Sequence, residues 1–203
     1  MCIRDSPNLD SIAEMKPDFA TASEGEDFQP YARDPETLSR PWAIPGTPGL
    51  EHRVGGLEKA HLTGHVSYDP ANHQFMQELR RDKVLKVRQD IPPTEVYGDE
   101  GGLCVLGWGS TYGAIRTAVT KARAAGKQVG HVHLRWLNPL PADLGEVLRR
   151  YDTVLVPELN LGQLIRIIRA EYLIDAIALS KVQGQPFQTH EILSRITELA
   201  KES

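Results

Sequence analysis

The second half of the sequence predicts an α/β domain of three layers: a mostly parallel sheet with helices on both faces, preceded by an extended arm. Three observations predict it. Short apolar runs at 103–106, 128–134, 153–156 and 174–179 alternate with stretches of helical periodicity, and strands alternating with helices build parallel sheets covered on both sides. The apolar positions of the helical stretches keep the i, i+3, i+4, i+7 spacing of one buried face. From Pro7 to about Gly102, by contrast, the chain is rich in Pro, Gly, Asp and Glu and shows few windows of either period.

Each element has its own signal. In the arm, 41–49 (Pro-Trp-Ala-Ile-Pro-Gly-Thr-Pro-Gly) is turn-forming, because each proline fixes its own φ and pushes the preceding residue to an extended conformation. A connection this long does not stand free inside a compact domain, so Trp42 and Ile44 are expected to anchor it to a surface. One helix is expected in the arm. It starts near Pro70 or Asn72, carries Phe75, Met76, Leu79, Lys83 and Leu85, and runs to about Gln89 before Ile91-Pro92-Pro93. Beyond Glu100-Gly101-Gly102, the strand at 103–106 ends at Gly107, and a helix follows with Ile115, Ala118, Val119 and Ala122 on one face and Gly126 as its stop. After the strand at 128–134, Pro141 opens a helix with Leu144, Val147, Leu148 and Tyr151 on one face, proline being tolerated in a first turn. The strand at 153–156 leads to a helix over 161–172. The strand at 174–179 leads to a last helix over 189–201 that carries Ile192, Leu193, Ile196, Leu199 and Ala200. The domain is therefore expected over 101–203, with 7–100 as arm or linker.

Composition narrows the function classes. The chain has 203 residues, 40% apolar and 25% charged, with a formal net charge of -4 and acids and bases interspersed. Nothing in that balance suggests a nucleic-acid backbone or a membrane surface as partner. No apolar run approaches the roughly 18 residues needed to span a bilayer, and the expected location is cytoplasmic. The two cysteines, Cys2 and Cys104, have no C-x-x-C spacing, so this chain offers neither a disulfide framework nor a cluster or zinc site of its own. The opening Met1-Cys2-Ile3-Arg4-Asp5-Ser6 reads as the translation of a transposon adapter used in sequencing libraries. Residues 1–6 are accordingly set aside from the fold, and the sequence is expected to be a piece of a longer chain.

Two strand-to-helix turns carry the candidate site. Gly107-Trp108-Gly109-Ser110-Thr111-Tyr112-Gly113 follows the first strand; glycines there allow close backbone approach, and free N–H groups at a helix start can hold an anion. It is neither a full G-x-G-x-x-G nor a P-loop, since no lysine follows the glycines. Gly107, Gly109, Ser110 and Thr111 are thus candidates for cofactor contact, while Ser110 or Thr111 also reads as an ordinary helix N-cap. Glu158-Leu159-Asn160-Leu161-Gly162-Gln163 occupies the equivalent place after the third strand. Asn160 and Gln163 have the form of a capping box. Glu158 at the strand end would accept bonds from the facing loop or from a partner subunit, which makes Glu158, Asn160 and Gln163 the candidates for subunit contact. His131 and His133, two apart on a strand, share a face, but no third metal ligand is placed beside them. His52, His61, His65 and His73 in the arm either meet an anionic group or cap turns and pack. No catalytic residue is assigned.

Several strings together resemble a known family. They are the two turns above (the second extended as Val156-Pro157-Glu158 through Leu164), Gly184-Gln185-Pro186-Phe187, the run 33–49 beginning Arg33-Asp34-Pro35-Glu36, Gly55-Gly56-Leu57-Glu58-Lys59, and Tyr68-Asp69-Pro70-Ala71-Asn72-His73. In collinear order they resemble the C-terminal part of the alpha subunit of 2-oxoglutarate:ferredoxin oxidoreductases. The resemblance implies a transketolase C-terminal-like domain within a thiamine diphosphate enzyme. That enzyme decarboxylates a 2-oxoacid, passes electrons through an iron-sulfur cluster to ferredoxin, and forms an acyl-coenzyme A. It further implies that the diphosphate, its Mg2+ and the cluster lie in the beta subunit, that this chain binds none of them, and that alone it is inactive. Two other readings stay open: a nucleotide- or coenzyme A-binding interaction module built on the Gly107–Gly113 loop, and a transketolase-like component.

Overall fold

The structure is a computed structural model and describes residues 18–21 and 27–200. The expectation about residues 1–6 lies outside them. The chain divides into two compact units, one ending at Gln89 and one beginning at Asp90.

In the first unit, most pairing is between isolated residues: Phe19 with Trp42, Tyr31 with Leu62, and Lys59 with Val66. The one long helix among its described residues, α1 (Pro70–Lys86), starts for the reasons its sequence gives. Asp69 accepts from the backbone N–H groups of Ala71 and Asn72 (3.2 and 3.1 Å), and Pro70 occupies the first turn, where its missing N–H costs nothing. Lys83 and Lys86 face the carbonyl end of the helix dipole. The Asn72 amide then ties the helix to the preceding segment, donating to Lys59 O (2.9 Å) and accepting from His61 N (2.9 Å). Lys59 itself is buried, its ammonium held by the carbonyls of Leu57 (2.7 Å) and Gly55 (3.3 Å).

The second unit holds a five-stranded sheet of β1 (Val96–Gly98), β2 (Leu103–Trp108), β3 (Val129–Leu134), β4 (Thr153–Glu158) and β5 (Ile177–Ser180), in the order β1-β3-β2-β4-β5. All pairs are parallel except β1 with β3. Four helices cover it: α2 (Tyr112–Ala124), α3 (Leu144–Leu148), α4 (Gln163–Tyr172) and α5 (Thr189–Leu199). Strand alternation sorts the core into two clusters. Leu103 and Val105 of β2 pack with Ile115, Val119, Ile192 and Ile196 of α2 and α5, while Cys104 and Leu106 pack with Leu144, Leu148, Leu164 and Ile168 of α3 and α4. The connection β2→β3 steps one way across the sheet, whereas β3→β4 and β4→β5 step the other way. With crossovers of one hand, opposite steps put α2 on one face and α3 and α4 on the other.

Three elements differ from the sequence expectation. Strand β1 was not anticipated; at three residues it shows no period, and it is an antiparallel edge strand. The helix opened by Pro141 is cut to Leu144–Leu148, because residues before it form turns, with Leu144 N bonded to Pro141 O (3.3 Å). The strand expected at 174–179 is Ile177–Ser180, since Leu173 adopts a left-handed φ of 55° and ends α4 there.

Gly130, in the middle of β3, marks the tightest spot in the sheet. A Cβ there would lie 2.4 Å from Tyr151 Oη and 2.7 Å from the backbone oxygen of Asp99, and the latter cannot swing aside. Gly130→Ala is therefore expected to lower stability by about 1–3 kcal/mol through overpacking, read as a fall in the urea midpoint. An unchanged midpoint would show that the β1–β3 edge gives way freely.

Candidate functional site

The sheet reverses its direction of growth between β2 and β4, and open α/β sheets place ligands in the crevice outside the carboxyl ends of such a strand pair. Both sequence-predicted turns meet here. β2 delivers Gly107, Trp108, Gly109, Ser110 and Thr111; β4 delivers Glu158, Asn160 and Gln163.

On the β2 side the chain enters α2 through a single 3-10 turn, Gly109–Thr111, with Gly109 at a φ of 59°, a region glycine tolerates without strain. The Thr111 hydroxyl turns backward, accepting from Trp108 N (3.2 Å) and donating to Trp108 O (2.8 Å). Thr111 occupies the N-cap position of α2, but its hydroxyl latches the turn instead of accepting from helix N–H groups; its bonds close a local ring before the helix begins. Gly107 sits in a tight place, where any larger residue would make neighbouring side chains shift. A Cβ there would come within 2.4 Å of Ile115 Cδ1 and 3.3 Å of His133 Nδ1. Gly109 and Ser110 are exposed on the rim, and Thr111 is buried.

On the β4 side the capping arrangement also differs from expectation. Gly162, not Asn160, is the N-cap of α4, at a φ of 83°. Asn160 Oδ1 accepts from Gly162 N (2.7 Å) and Gln163 N (2.9 Å), and Gln163 faces solvent instead of reaching back. The two deeper N–H groups of the helix start, Leu164 N and Ile165 N, are taken by the carboxylate of Glu158, at 2.8 Å to Oε1 and 3.1 Å to Oε2. The left-handed turn at Gly162 displaces the helix start two residues beyond Asn160, and the last residue of β4 comes to lie beneath it. A carboxylate there also complements the positive end of the helix dipole.

Glu158 does more than cap. Trp108 Nε1 donates to its Oε1 across the crevice (3.3 Å), and Asn160 Nδ2 donates to the same oxygen (3.1 Å). Four N–H donors converge on a carboxylate only 1% exposed. The pair Trp108–Glu158 therefore bridges the carboxyl ends of β2 and β4. Sequence reasoning had singled out Glu158 but missed Trp108. The available signal was an indole at the last position of a strand, whose single donor needs a partner when partly buried.

On the other face of the sheet from this bridge, His131 and His133 project from β3 opposite Val105 and Gly107. Their rings are 5.7 Å apart, and Tyr112 lies over both, at 5.5 and 4.9 Å. Burial, reinforced by His133 and Arg116, pushes His131 down to about 3; burial and Arg135 lower His133 as well. Among the described residues no group of three or more His, Cys, Asp or Glu side chains could hold a metal ion. Nor is any helix there long and apolar enough to cross a membrane.

Comparison with known proteins places this geometry. Residues 102–192 match the pyruvate:ferredoxin oxidoreductase core domain II. The chain is 51% identical over 188 residues to the 2-oxoglutarate oxidoreductase subunit KorA of Mycobacterium tuberculosis, a match covering 92% of this chain and 28% of that protein. It is 30% identical over 184 residues to subunit alpha of 2-oxoacid:ferredoxin oxidoreductase 1 of Aeropyrum pernix, covering 86% of this chain and again 28% of the relative. Among solved structures it superposes on the 2-oxoglutarate:ferredoxin oxidoreductase of Magnetococcus marinus, determined with 2-oxoglutarate, coenzyme A and succinyl-CoA bound. The TM-score is 0.79 at 34% identity, over 89% of this chain and 32% of that one. The chain thus spans little more than a quarter of the length of these curated relatives. Fold, core domain and sequence agree in placing it: the chain belongs to the family of 2-oxoacid:ferredoxin oxidoreductase alpha subunits.

Proposed function

We propose that this chain serves as an assembly part of a thiamine diphosphate-dependent 2-oxoacid:ferredoxin oxidoreductase. The whole enzyme would oxidatively decarboxylate 2-oxoglutarate or a related 2-oxoacid to its acyl-coenzyme A and reduce ferredoxin. The observation that carries the reading is the 51% identity to the Mycobacterium tuberculosis subunit across 92% of the chain. Within the domain, the bridge between Trp108 and Glu158 occupies the place where a ligand would enter, which favours a contact surface there over a cofactor pocket.

The described residues do not fit the family's metal groups. Cys104 is buried alone in β2, with its thiol pushed well above the usual range by burial, and no carboxylate cluster is gathered for Mg2+. No chemical step is therefore assigned to this chain through an iron-sulfur cluster, Mg2+ or thiamine diphosphate. Its own residues shape the rim. Glu158 and Asn160 fix the 158–163 loop from within, Thr111 fixes the 109–111 turn, and Ser110, Leu161 and Gln163 are left exposed. In this reading those exposed residues meet the beta subunit or the rest of the alpha subunit, while Glu158, Asn160, Gly107 and Gly109 act by holding them in place.

A chimera tests it. This chain replaces the matching 188 residues of the Mycobacterium tuberculosis subunit and is expressed with the beta subunit. The chimera is expected to assemble and to reduce a viologen dye with 2-oxoglutarate and coenzyme A, whereas the 203-residue chain alone turns over nothing. Turnover by the chain alone, or a folded chimera that does not assemble, contradicts the proposal.

A further inference from the structure

The two ends of the sheet in the second unit differ in chemistry. Because β2, β3, β4 and β5 run parallel, the turns that follow them emerge at one edge and the turns that precede them at the other. Each turn at the carboxyl edge leaves a large apolar side chain exposed: Trp136 after β3, Tyr112 after β2, Leu161 after β4 and Val182 after β5. In strand order they stand one per strand, across three spacings of about 4.8 Å, or roughly 15 Å. Charge is withdrawn from the same edge. Glu158 is buried under its four N–H donors, and Lys181 turns back to Glu191 (2.8 and 3.0 Å) and to the carbonyl of Pro186 (3.1 Å). Among the described residues 107–113, 135–140, 158–163 and 181–185, Arg135 is the one exposed charged side chain. The amino edge carries ion pairs instead: Arg123 with Asp99 (3.0 Å), Arg150 with Glu100 (2.8 Å) and Arg169 with Asp175 (3.0 Å).

The fold itself does not call for these side chains, since helices already fill both faces of the sheet. Leu161, 77% exposed, is moreover presented from a fixed loop: Asn160 Oδ1 holds the N–H groups of Gly162 and Gln163, and Glu158 holds Asn160 from beneath. An anchor that is ordered in advance loses little freedom on binding. Aromatic and aliphatic anchors with few exposed charges have the composition of an interface core, and apolar groups gathered on one exposed edge mark a contact. That composition also selects the occupant. A transient electron carrier docks through small, charge-steered surfaces, and a phosphate-bearing ligand needs clustered cations, where this edge exposes one arginine. Contacts between domains of one chain are more polar than those between permanent subunits. In an alpha subunit, an edge of this kind therefore fits the other subunit of the enzyme.

Resting on the assembly role given above, we infer that the carboxyl edge of the sheet is the permanent seat of the beta subunit, with Trp136, Tyr112, Leu161 and Val182 entering an uncharged apolar face of that partner. The chimera with the Mycobacterium tuberculosis subunit, tagged and co-purified with its beta subunit, provides the test. Leu161→Asp and Val182→Asp each bury a charge in the contact and should raise the dissociation constant at least about tenfold, the scale of one lost anchor. Leu173→Asp, at the amino edge and 89% exposed, should leave it unchanged. Should Leu161→Asp lower the melting point of the 203-residue chain itself, followed by circular dichroism, Val182→Asp decides. An unsubstituted chimera that fails to hold the beta subunit contradicts the assembly role, and the seat with it. A chimera that holds the beta subunit while both edge variants hold it equally well, or while Leu173→Asp weakens it equally, overturns the seat alone. So does a melting point lowered in the edge-substituted chimera but not in the 203-residue chain, which would put the rest of the alpha subunit on this edge.

Discussion

Glu158→Ala is expected to destabilise the second unit by about 2–6 kcal/mol, because it strands two buried backbone donors, Leu164 N and Ile165 N, at about 1–3 kcal/mol each. Domains of this size hold only about 5–15 kcal/mol in total, so the variant is expected to lie near its folding threshold. The loss does not stop at the helix cap. Trp108 Nε1 and Asn160 Nδ2 lose the same acceptor, and the bridge between the ends of β2 and β4 opens. Glu158→Gln separates the contributions: it keeps one acceptor oxygen but turns an amide NH2 toward N–H donors, so its cost should fall between wild type and alanine. Urea denaturation, followed by circular dichroism and by tryptophan emission, provides the measurement. A Glu158→Ala midpoint equal to that of wild type would mean that the carboxylate neither caps α4 nor ties the two strands.

The second large effect depends on pH. His131 is 2% exposed, and its folded-state pKa is held at about 3, against about 6.5 for an unfolded histidine. Between those values the unfolded chain binds a proton that the folded chain does not. The neutral ring therefore contributes stability in full above pH 6.5 and loses it as the pH falls toward 3. The slope per proton is at most about 1.4 kcal/mol per pH unit, and over the whole window the loss amounts to a few kcal/mol. His133 is shifted in the same direction and adds to it. Arg116 and His133 both disfavour a charge at His131, and Tyr112 closes over the pair. His131→Phe keeps the ring and removes the proton. Its stability curve should run parallel to wild type above pH 7 and fall less steeply below pH 6. Two curves that stay parallel down to pH 4 would show that His131 titrates freely in the folded state.

How far the site was legible can be seen residue by residue. Glu158 stood out because a carboxylate at the end of an apolar strand has no bland local explanation. Gly107 stood out because it closes a strand where close approach is common. Trp108 did not, since a tryptophan beside glycines suits a packing role equally well and its acceptor lies 50 residues away. The capping box at Asn160 and Gln163 was a sound local inference that lost to a neighbour in the same loop, the Glu158 side chain reaching beneath the helix. Thr111 does take the N-cap position that its spacing suggests, but spacing does not say which way its hydroxyl turns.

By itself the sequence determined the α/β class, the parallel strands and the two covered faces. Those follow from short apolar runs alternating with stretches of period 3.6, which are local properties of the chain and survive without knowledge of partners. It also located the two turns, because strand ends and glycines are local features. Tertiary structure alone decided which groups far apart in the chain find one another: Trp108 with Glu158, and the His131–His133 pair with Tyr112. The physical reason is that a buried donor or acceptor must be satisfied by whatever the fold brings within about 3 Å. That neighbour is set by strand order and helix packing, not by distance along the chain.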